Sequence, residues 1–467
     1  MTFNPFFINS CLPISKANID NYDSFLYYTA ENTGNTYITY SLLKVLYNGN
    51  ISDINHIPNI HRYDYSDVEK QLDIINNECS HVFYIMQDCI REKDFPIDYD
   101  KVYDFVSKIK KPVVIAGLGA NSFCGFDNSL HKKLNSKLIK HLKILADKTE
   151  MIGVRGNYSK EVLEKLGIKN VSVIGCPSFY EMGGGRTVYK KDVLQNFIKN
   201  QVVVTGSEII PGLEDNYQIC QCASEQRIIK AIAYNDFSEK IGPVTLNKIL
   251  NKKFMIFSNL NEWKSFISKF SLTIGSRVHG SVISLNAGVP AVCTNNDSRT
   301  IEMCEILGIP VLSPKNILSE IEKIYFDYDV SKLNENYLIN YNNYVKFLNA
   351  NNLKLIDNKS NQNIELPSFH LYQDVDYNAM ITNFVNSNNK IKELETKCSS
   401  LSSELNTFKE KYNAIHTELS DYKLRIEILE AKPSSLEQIF SVKNEKNHKV
   451  VRLFGIKMKF RKNKFSL

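Results

Sequence analysis

An arginine and a histidine that could bind an anion and move a proton lie two positions apart in residues 276–281, Ser-Arg-Val-His-Gly-Ser. The segment follows an apolar run typical of a strand and begins a stretch typical of a helix. A helix N-terminus presents free N–H groups and a partial positive charge, which favour anions. Arg277 adds a planar fork for carboxylate or phosphate, and His279 adds a group that titrates near neutral pH. The pattern predicts an anionic, proton-coupled reaction; the alternative is an ion-paired arginine and a hydrogen-bonded core histidine.

A second arginine stands in a similar position in residues 154–159, Val-Arg-Gly-Asn-Tyr-Ser. A predicted strand ends just before Arg155 and a predicted helix begins just after it. We therefore expect Arg155 to face the same cleft as Arg277, where two arginines and a helix end could hold a small trianion. The alternative interpretation is a salt bridge between domains.

The first part of the chain alternates continuous apolar runs with amphipathic stretches. This alternation is typical of a parallel sheet with helices on both faces. The predicted strands are 81–86, 112–117, 151–154 and 171–174, and the predicted helices include 98–109, 130–146 and 160–166.

A similar alternation follows residues 183–185, a Gly-Gly-Gly run that we interpret as a flexible joint. Its predicted strands are 201–205, 254–257, 272–274 and 289–293, and its predicted helices are 261–270, 281–286 and 301–307. The fold class is therefore α/β, with two doubly wound Rossmann-like domains at 1–177 and 178–345. In such folds ligands bind outside the carboxyl ends of the strands.

A heptad pattern follows a linker at 346–388. Apolar or aromatic residues recur at alternating steps of three and four from Ile391 to Leu429, which predicts a coiled coil over 389–432 and a homo-oligomer. The alternative is one amphipathic helix packed on the body, although globular helices rarely keep a strict period of 3.5 for so long. Pro433 should end the helix.

Positive charge is concentrated in the C-terminal tail, 433–467. The whole chain carries a net charge of +6, but residues 443–467 hold nine Lys or Arg against Glu445, so residues 1–442 carry 48 basic and 50 acidic side chains. A nucleic-acid enzyme would more often spread its charge along a groove, so we expect no nucleic-acid partner. Apolar residues such as Phe454, Ile456, Met458 and Phe460 interleave with the basic ones. The tail is therefore either a solvated end or an attachment to an anionic membrane surface.

The composition, 43% hydrophobic and 23% charged, is typical of a globular protein. No apolar run approaches the roughly 18 residues that span a bilayer, and no signal-peptide pattern begins the chain, so we expect a cytoplasmic protein, peripheral at most on the inner face of the membrane. The ten cysteines are scattered, with only Cys220 and Cys222 close together, which predicts neither a disulfide framework nor a metal site.

The order and spacing of several motifs resemble those of the polysaccharide pyruvyl transferase family. The resemblance spans about residues 31–312, and the coil and tail lie outside it. The motifs are Asn32-Thr33-Gly34-Asn35, Arg155 with Ser159, Gly175-Cys176-Pro177, Arg277-Val278-His279 with Gly288-Val289-Pro290, and Asp297-Ser298-Arg299-Thr300. Two segments depart from the family pattern. Cys176-Pro177 stands where Asp-Pro is usual, and Gln87-Asp88-Cys89-Ile90 stands where a glycine run is common.

The resemblance implies a glycosyltransferase-B-like fold, phosphoenolpyruvate as donor, no cofactor, and a glycan acceptor of a capsule or cell-envelope polysaccharide. It implies that Arg155 and Arg277 bind the donor's phosphate and carboxylate and that His279 is a donor ligand and acid/base. Ser281, Asn32 and Asn35 are further candidates for substrate binding. Arg299 either caps the phosphate site or only pairs with Asp297 or Glu302.

Two other functions remain open at this stage. A nucleotide-sugar glycosyltransferase of the same two-domain fold would need a ribose-binding carboxylate, and none is evident after Arg277. A catalytically inactive scaffold at the membrane would not need Arg155, Arg277 and His279.

Overall fold

The computed structural model describes most of the chain, and it separates into two compact units, Met1–Asn383 and Phe384–Leu467. The described residues are 3–10, 21–29, 31–49, 53–60, 63–92, 97–122, 125–206, 208–221, 226–234, 242–294, 297–312, 314–356, 368–372, 375–430, 440–445, 448–453 and 456–461. Cys222, Pro433 and Phe454 lie outside these ranges. No helix in the described ranges has the length and apolar character needed to cross a membrane.

The first half contains parallel strands. They are β1 Pro5–Ile8, β2 His56–Ile57, β3 His81–Tyr84, β4 Ile90–Arg91, β5 Val113–Val114, β6 Ala116–Leu118, β7 Ala120–Asn121, β8 Ile152–Val154 and β9 Val171–Val173. They pair in the orders β2-β1-β3-β5 and β6-β8-β9, with β4 beside β7. β5 and β6 are nearly continuous in sequence, and the register shifts between Ala116 and Leu118, where Gly117 adopts a positive φ of 78° that favours glycine. β1, β2, β4 and β7 were not among the predicted strands.

Seven helices in the described residues accompany these strands. They are α1 Tyr22–Tyr28, α2 Thr33–Leu46, α3 Val68–Asp73, α4 Tyr99–Ser107, α5 Leu130–Lys133, α6 Ser136–Asp147 and α7 Asn157–Lys165. The single helix predicted over 130–146 is two helices, because Asn135 caps α6 by accepting a hydrogen bond from the Lys137 amide at 2.8 Å. α4 buries Val102, Phe105 and Val106.

The second half likewise consists of parallel strands connected by helices. Its strands are β10 Val202–Thr205, β11 Gln218–Ile219, β12 Phe254–Met255, β13 Leu272–Gly275 and β14 Ala291–Cys293. Its helices are α8 Gln226–Tyr234, α9 Pro243–Leu250, α10 Leu260–Ile267, α11 Val278–Asn286, α12 Ser298–Leu307, α13 Pro314–Asp327 and α14 Val330–Ala350. The strands are parallel in the order β12-β11-β10-β13-β14, so the chain reverses its direction across the sheet between β10 and β13. A doubly wound sheet binds ligands at such a switch point.

The glycine run at 183–185 is not the flexible joint that we predicted. It forms a short 3-10 helix, Gly183–Gly185, in which Gly183 is buried. The Tyr337 hydroxyl of α14 donates a hydrogen bond to the Gly183 carbonyl. The run is therefore anchored to a helix of the same unit. Further short turns are the 3-10 helices Tyr65–Asp67, Pro177–Tyr180 and Gln195–Gln201, and the π-helical turn Ile74–Glu78.

The C-terminal part consists of a long helix and a small sheet. α15 runs over Tyr377–Glu430, so it begins inside the predicted linker. Its heptad residues from Leu394 to Tyr422 are exposed in the single chain. Strands β15 Phe440–Glu445, β16 His448–Leu453 and β17 Ile456–Arg461 form an antiparallel sheet in the order β15-β16-β17. The protein is thus a mixed α/β chain with parallel sheets and a long C-terminal helix.

Candidate functional site

A small pocket of about 60 Å³ lies within the unit Met1–Asn383, where loops that follow strands of both halves meet. Its walls are mainly polar and contain three arginines. The lining residues are Asn32, Asn35, Gln87, Asp88, Arg155, Gln221, Ser276, Arg277, Val278, His279, Arg299 and Thr300.

The order of the strands explains why these residues meet. Arg155 follows β8 directly, and Gln87 and Asp88 follow β3 in the same half. Arg277 follows β13, which pairs with β10 at the switch point of the second sheet. Since all these strands are parallel, their carboxyl ends lie at one edge of each sheet. The pocket therefore occupies the place where such folds bind ligands.

Arg155 is buried without a close carboxylate partner among the described residues. Its side chain is 2% exposed, and its Nε has no hydrogen-bond partner there. Its backbone amide donates to the Leu118 carbonyl at 2.9 Å, which holds the residue at the end of the first sheet. A buried unpaired guanidinium is unfavourable, because its hydration is lost and not replaced. An anion in the pocket would supply the missing partner.

Arg277 lies at the N-terminus of α11, where it is the N-cap residue in extended conformation. The first N–H groups of a helix have no partner inside the helix, and they carry a partial positive charge. The Arg277 side chain lines the same pocket as Arg155. Two guanidinium groups and a helix N-terminus thus converge on one small space, a combination suited to a phosphate or carboxylate.

His279 occupies the first turn of α11 and is 8% exposed. Its Nε2 lies 3.7 Å from the Sγ of Cys176, which is fully buried. Its Nδ1 lies beside Gly34 at the start of α2, so close that a Cβ on that residue would be 2.5 Å from the nitrogen. Only glycine allows this approach, and the ring is thereby held between the two halves.

The electrostatic surroundings of His279 oppose a charged imidazole. Burial lowers its pKa to about 3, and the charges of Arg155, Arg299 and Arg277 lower it as well, while Asp88 raises it. In the empty site His279 is therefore neutral at pH 7. Our expectation that it titrates near neutral pH is therefore wrong, because the sequence reveals neither the burial of the ring nor the number of arginines that surround it.

Arg299, in the first turn of α12, pairs with two carboxylates. Its Nη1 lies 2.9 Å from Asp88 Oδ2, and its Nη2 lies 3.0 Å from Asp297 Oδ2. Asp88 also binds Arg91 at 2.8 Å and accepts a hydrogen bond from Asn121. Burial alone would raise the pKa of Asp88, but the charges of Arg299, Arg91 and Arg155 outweigh it and lower the pKa to about 2. We predicted Asp297 or Glu302 as the ion-pair partner of Arg299. The structure shows the pair with Asp297, and the second partner is Asp88 instead of Glu302.

The remaining candidates differ in their placement. Asn35 lines the pocket from the first turn of α2. Asn32 also lines it, but its Oδ1 accepts a hydrogen bond from the Gly34 amide at 2.9 Å, so it serves as the helix cap. Ser281 does not line the pocket; its side chain is fully buried, one turn further along α11.

Glu302 joins the two halves beside this pocket. Its carboxylate accepts hydrogen bonds from the backbone amide of Ser159 at 3.0 Å and from the Ser159 hydroxyl at 2.5 Å. Four residues earlier, the hydroxyl of Ser298 accepts a hydrogen bond from the Ser122 amide at 2.7 Å. The first turns of α12 are therefore bonded directly to the first half.

Sequence reasoning did not identify the acidic members of this site. Asp88 appeared only as a departure from a glycine run, and Glu302 only as a possible partner of Arg299. Gln87 likewise appeared only in that departure, and Gln221 was not considered. Gln87 has a positive φ of 54°, which is uncommon for a residue with a side chain, but no sequence pattern signals it.

Comparisons with known proteins give one match by sequence. A family model described as polysaccharide pyruvyl transferase matches residues 32–298, more than half of the chain. No curated protein matches the chain.

The solved structures that match the backbone of this chain share little sequence with it. A putative UDP-N-acetylglucosamine 2-epimerase from Listeria monocytogenes is 11% identical with a TM-score of 0.39, covering 75% of this chain and 94% of that one. An Anabaena protein in complex with UDP and glucose is 10% identical with a TM-score of 0.38, covering 75% and 97%. A glycosyltransferase from Streptomyces nogalater is 9% identical with a TM-score of 0.28, covering 74% and 96%.

Proposed function

The chain belongs to the polysaccharide pyruvyl transferase family, and from this membership we propose that it moves a pyruvyl group from phosphoenolpyruvate onto a sugar. The acceptor would be a surface polysaccharide or its lipid-linked precursor, and the product a ketal. The observation that supports this donor most strongly is the buried, unpaired Arg155, which lines one small pocket together with Arg277 and the N-terminus of α11.

The charges of the pocket suit a small anion that carries both phosphate and carboxylate. Arg299 is already paired with Asp88 and Asp297, whereas Arg155 has no close carboxylate among the described residues, so Arg155 is the better candidate to bind the donor, together with Arg277 at the N-terminus of α11. Asn35 and the first N–H groups of α11 would add neutral hydrogen bonds. No cofactor is part of this proposal, and Arg299 would act mainly by holding Asp88 and α12 in place.

The reaction that these residues would serve has two bond-forming steps. The oxygen of one sugar hydroxyl bonds to C2 of phosphoenolpyruvate while C3 gains a proton and becomes a methyl group. A second hydroxyl of the same sugar then bonds to C2 as the bond from C2 to the phosphate oxygen breaks, and its proton leaves with the phosphate. Arginines preorganised around the phosphate would stabilise the charge that develops on it.

His279 would be the donor ligand and the group that moves protons. In the empty site its pKa is lowered by burial and then by the arginines. A bound anion offsets those positive charges, so the pKa of His279 should rise when the donor binds. The histidine would then change its protonation in the complex, where the proton is needed.

The C-terminal unit would serve assembly and location. We propose that the exposed heptad residues of α15 pair with a second copy of the chain. In the terminal sheet the register places Val442, Val451 and Met458 side by side, and Lys457 and Lys459 both pair with Glu445 on the opposite face. Such a sheet has an apolar face and a basic face, which suits a peripheral site on the inner face of the cell membrane.

Binding of phosphoenolpyruvate tests the donor assignment directly. Arg155→Ala and Arg277→Ala each remove a charge-assisted contact worth about 1.5 to 3 kcal/mol, so each should weaken binding about 10- to 150-fold in calorimetry. Lys137→Ala is the control, because Lys137 is an exposed residue of α6 paired with Asp100. Unchanged affinity in both arginine variants would reject the donor site, and binding of a UDP-sugar in place of phosphoenolpyruvate would favour a glycosyltransferase.

A further inference from the structure

Cys176 is the protein group in contact with the Nε2 of His279, and both residues are buried. The distance from Sγ to Nε2 is 3.7 Å, within the range for a hydrogen bond that involves sulfur. Cys176 precedes the turn Pro177–Tyr180, which packs against α2 and α11. The thiol is therefore fixed in place by the same elements that fix the histidine.

A second hydrogen bond bears on which atom carries the shared hydrogen. The Ser178 hydroxyl donates to Cys176 Sγ at 3.0 Å. A thiol is both a weak donor and a weak acceptor. Since the sulfur already accepts from Ser178, directing its own hydrogen at Nε2 gives both of its roles a partner and leaves Nε2 unprotonated. In a neutral imidazole the ring hydrogen then lies on Nδ1.

We propose that Cys176 is a positioning residue that fixes His279 in the tautomer with its hydrogen on Nδ1. This nitrogen lies beside Gly34, at the helix end from which Asn32 and Asn35 line the pocket. The hydrogen bond of the ring to the described residues is the one at Nε2, so the hydrogen on Nδ1 can be directed at a ligand.

The consequence for the reaction rests on the proposed function. With the hydrogen on Nδ1, the ring presents a donor to an anion in the pocket. With the hydrogen on Nε2, it would present a lone pair, which an anion repels. Cys176 thus makes His279 a hydrogen-bond donor to phosphoenolpyruvate when the donor first binds.

The charges around the ring are compatible with this state. Arg155 and Arg277 contribute positive charge from the two halves, and Arg299 contributes it from α12, with Asp88 as the opposing negative charge. Burial, and after it the excess of positive charge, keeps the ring neutral. The thiol adds no charge of its own, whereas a carboxylate at position 176 would attract a proton to Nε2.

The tautomer can be read in the empty full-length protein by ¹⁵N NMR after selective labelling of histidine. His279→Gln identifies the signal by its loss. We expect the Nδ1-protonated form in the wild type and in Cys176→Ser, whose hydroxyl can also donate. Cys176→Asp should move the hydrogen to Nε2 or protonate both nitrogens. Cys79→Ala is the control. It removes a buried thiol that belongs to a different hydrophobic cluster from Cys176, so it should leave the signal of His279 unchanged.

Donor binding separates this inference from the proposed function. Cys176→Ala, which leaves Nε2 without its thiol partner and the tautomer unfixed, should weaken binding of phosphoenolpyruvate about 10- to 100-fold, comparable with the loss of an outer partner of a metal-bound histidine, while Cys176→Ser, whose hydroxyl can donate to Nε2, should bind nearly as tightly as the wild type. An Nε2-protonated wild type, or one spectrum for wild type and Cys176→Asp, would overturn the positioning role. If the wild type binds no phosphoenolpyruvate but shows the expected tautomers, the proposed function fails and the positioning role stands.

Discussion

At the scale of single residues, the pocket lining gathers more positive than negative charge, three arginines against Asp88. Arg299 has Asp88 and Asp297 as close partners, whereas Arg155 interacts with Asp88 and Glu302 without a close ion pair, and its buried Nε has no hydrogen-bond partner among the described residues. A buried donor without a partner lowers the stability of the protein, because the hydration that it loses is not replaced. The cost is tolerated at sites where an incoming ligand supplies the opposite charge.

Replacing His279 by Gln tests its role in turnover. Glutamine keeps a hydrogen-bonding side chain but cannot carry a proton, so the affinity for the donor should change little while kcat falls about 10²-fold or more. His141→Gln is a matched control, because His141 is also a buried histidine but lies on α6 outside the pocket lining. Turnover close to normal in His279→Gln would make His279 a structural residue.

Glu302 should give the fold a measurable dependence on pH. Burial raises the pKa of Glu302 to about 7, although the hydrogen bonds from Ser159 and the charge of Arg155 lower it. An unfolded glutamate titrates near 4.3. Between these values the folded protein binds a proton that the unfolded chain does not, so the stabilisation is complete below about pH 4 and is lost as the pH rises through about 7.

Glu302→Gln should therefore gain in relative stability as the pH increases. The difference in Tm between the variant and the wild type, followed by calorimetry from about pH 5 to about pH 8, should shift in favour of the variant. Other titrating groups, such as His279 and His141, are present in both proteins and cancel in the difference. A constant difference across this range would contradict the raised pKa.

At the scale of elements, α15 offers a comparison inside one helix. Leu419 belongs to the heptad seam and Leu424 does not, yet their exposures in the single chain are similar, 53% and 57%. If two copies pair along the seam, Leu419→Asp places a charge in the interface and should reduce the oligomer to a smaller species, while Leu424→Asp should not. Sedimentation of the two variants measures this. Equal sizes for both variants and the wild type would reject pairing along the seam.

At the scale of the whole molecule, the division into two units suggests that the C-terminal unit is detachable. A chain ending at Asn386 keeps Met380, which is buried in a cluster with Tyr22 and Phe25 of α1. We expect it to fold and bind phosphoenolpyruvate but to have a smaller oligomeric size. It should also lose sedimentation with anionic vesicles, which in the full chain should weaken as salt rises.

Each outcome of this truncation addresses a different claim. An unchanged oligomeric size would show that assembly does not depend on the coil. Continued sedimentation with anionic vesicles would show that the tail is not the membrane contact. Vesicles of neutral lipid are the control for sedimentation that does not depend on charge.

The sequence by itself determined the features that depend on neighbours in the chain. Apolar runs and amphipathic stretches predicted about half of the strands and helices, because strands with two buried faces are continuously apolar and helices have a period of 3.6. The junctions of strand and helix at Arg155 and at Arg277 were evident for the same reason. The long helix was evident from its heptads, although its beginning at Tyr377 was not.

Only the tertiary structure decided which of these residues face one another and in what charge state. Cys176 and His279 are 103 positions apart, and Asp88 and Arg299 are 211 apart, so no local pattern signals either contact. The full burial of Ser281 outside the pocket lining and the lowered pKa of His279 likewise follow from packing. Periodicity places a residue on an element, but burial and the sum of surrounding charges, which set its protonation, exist only once the distant segments have met.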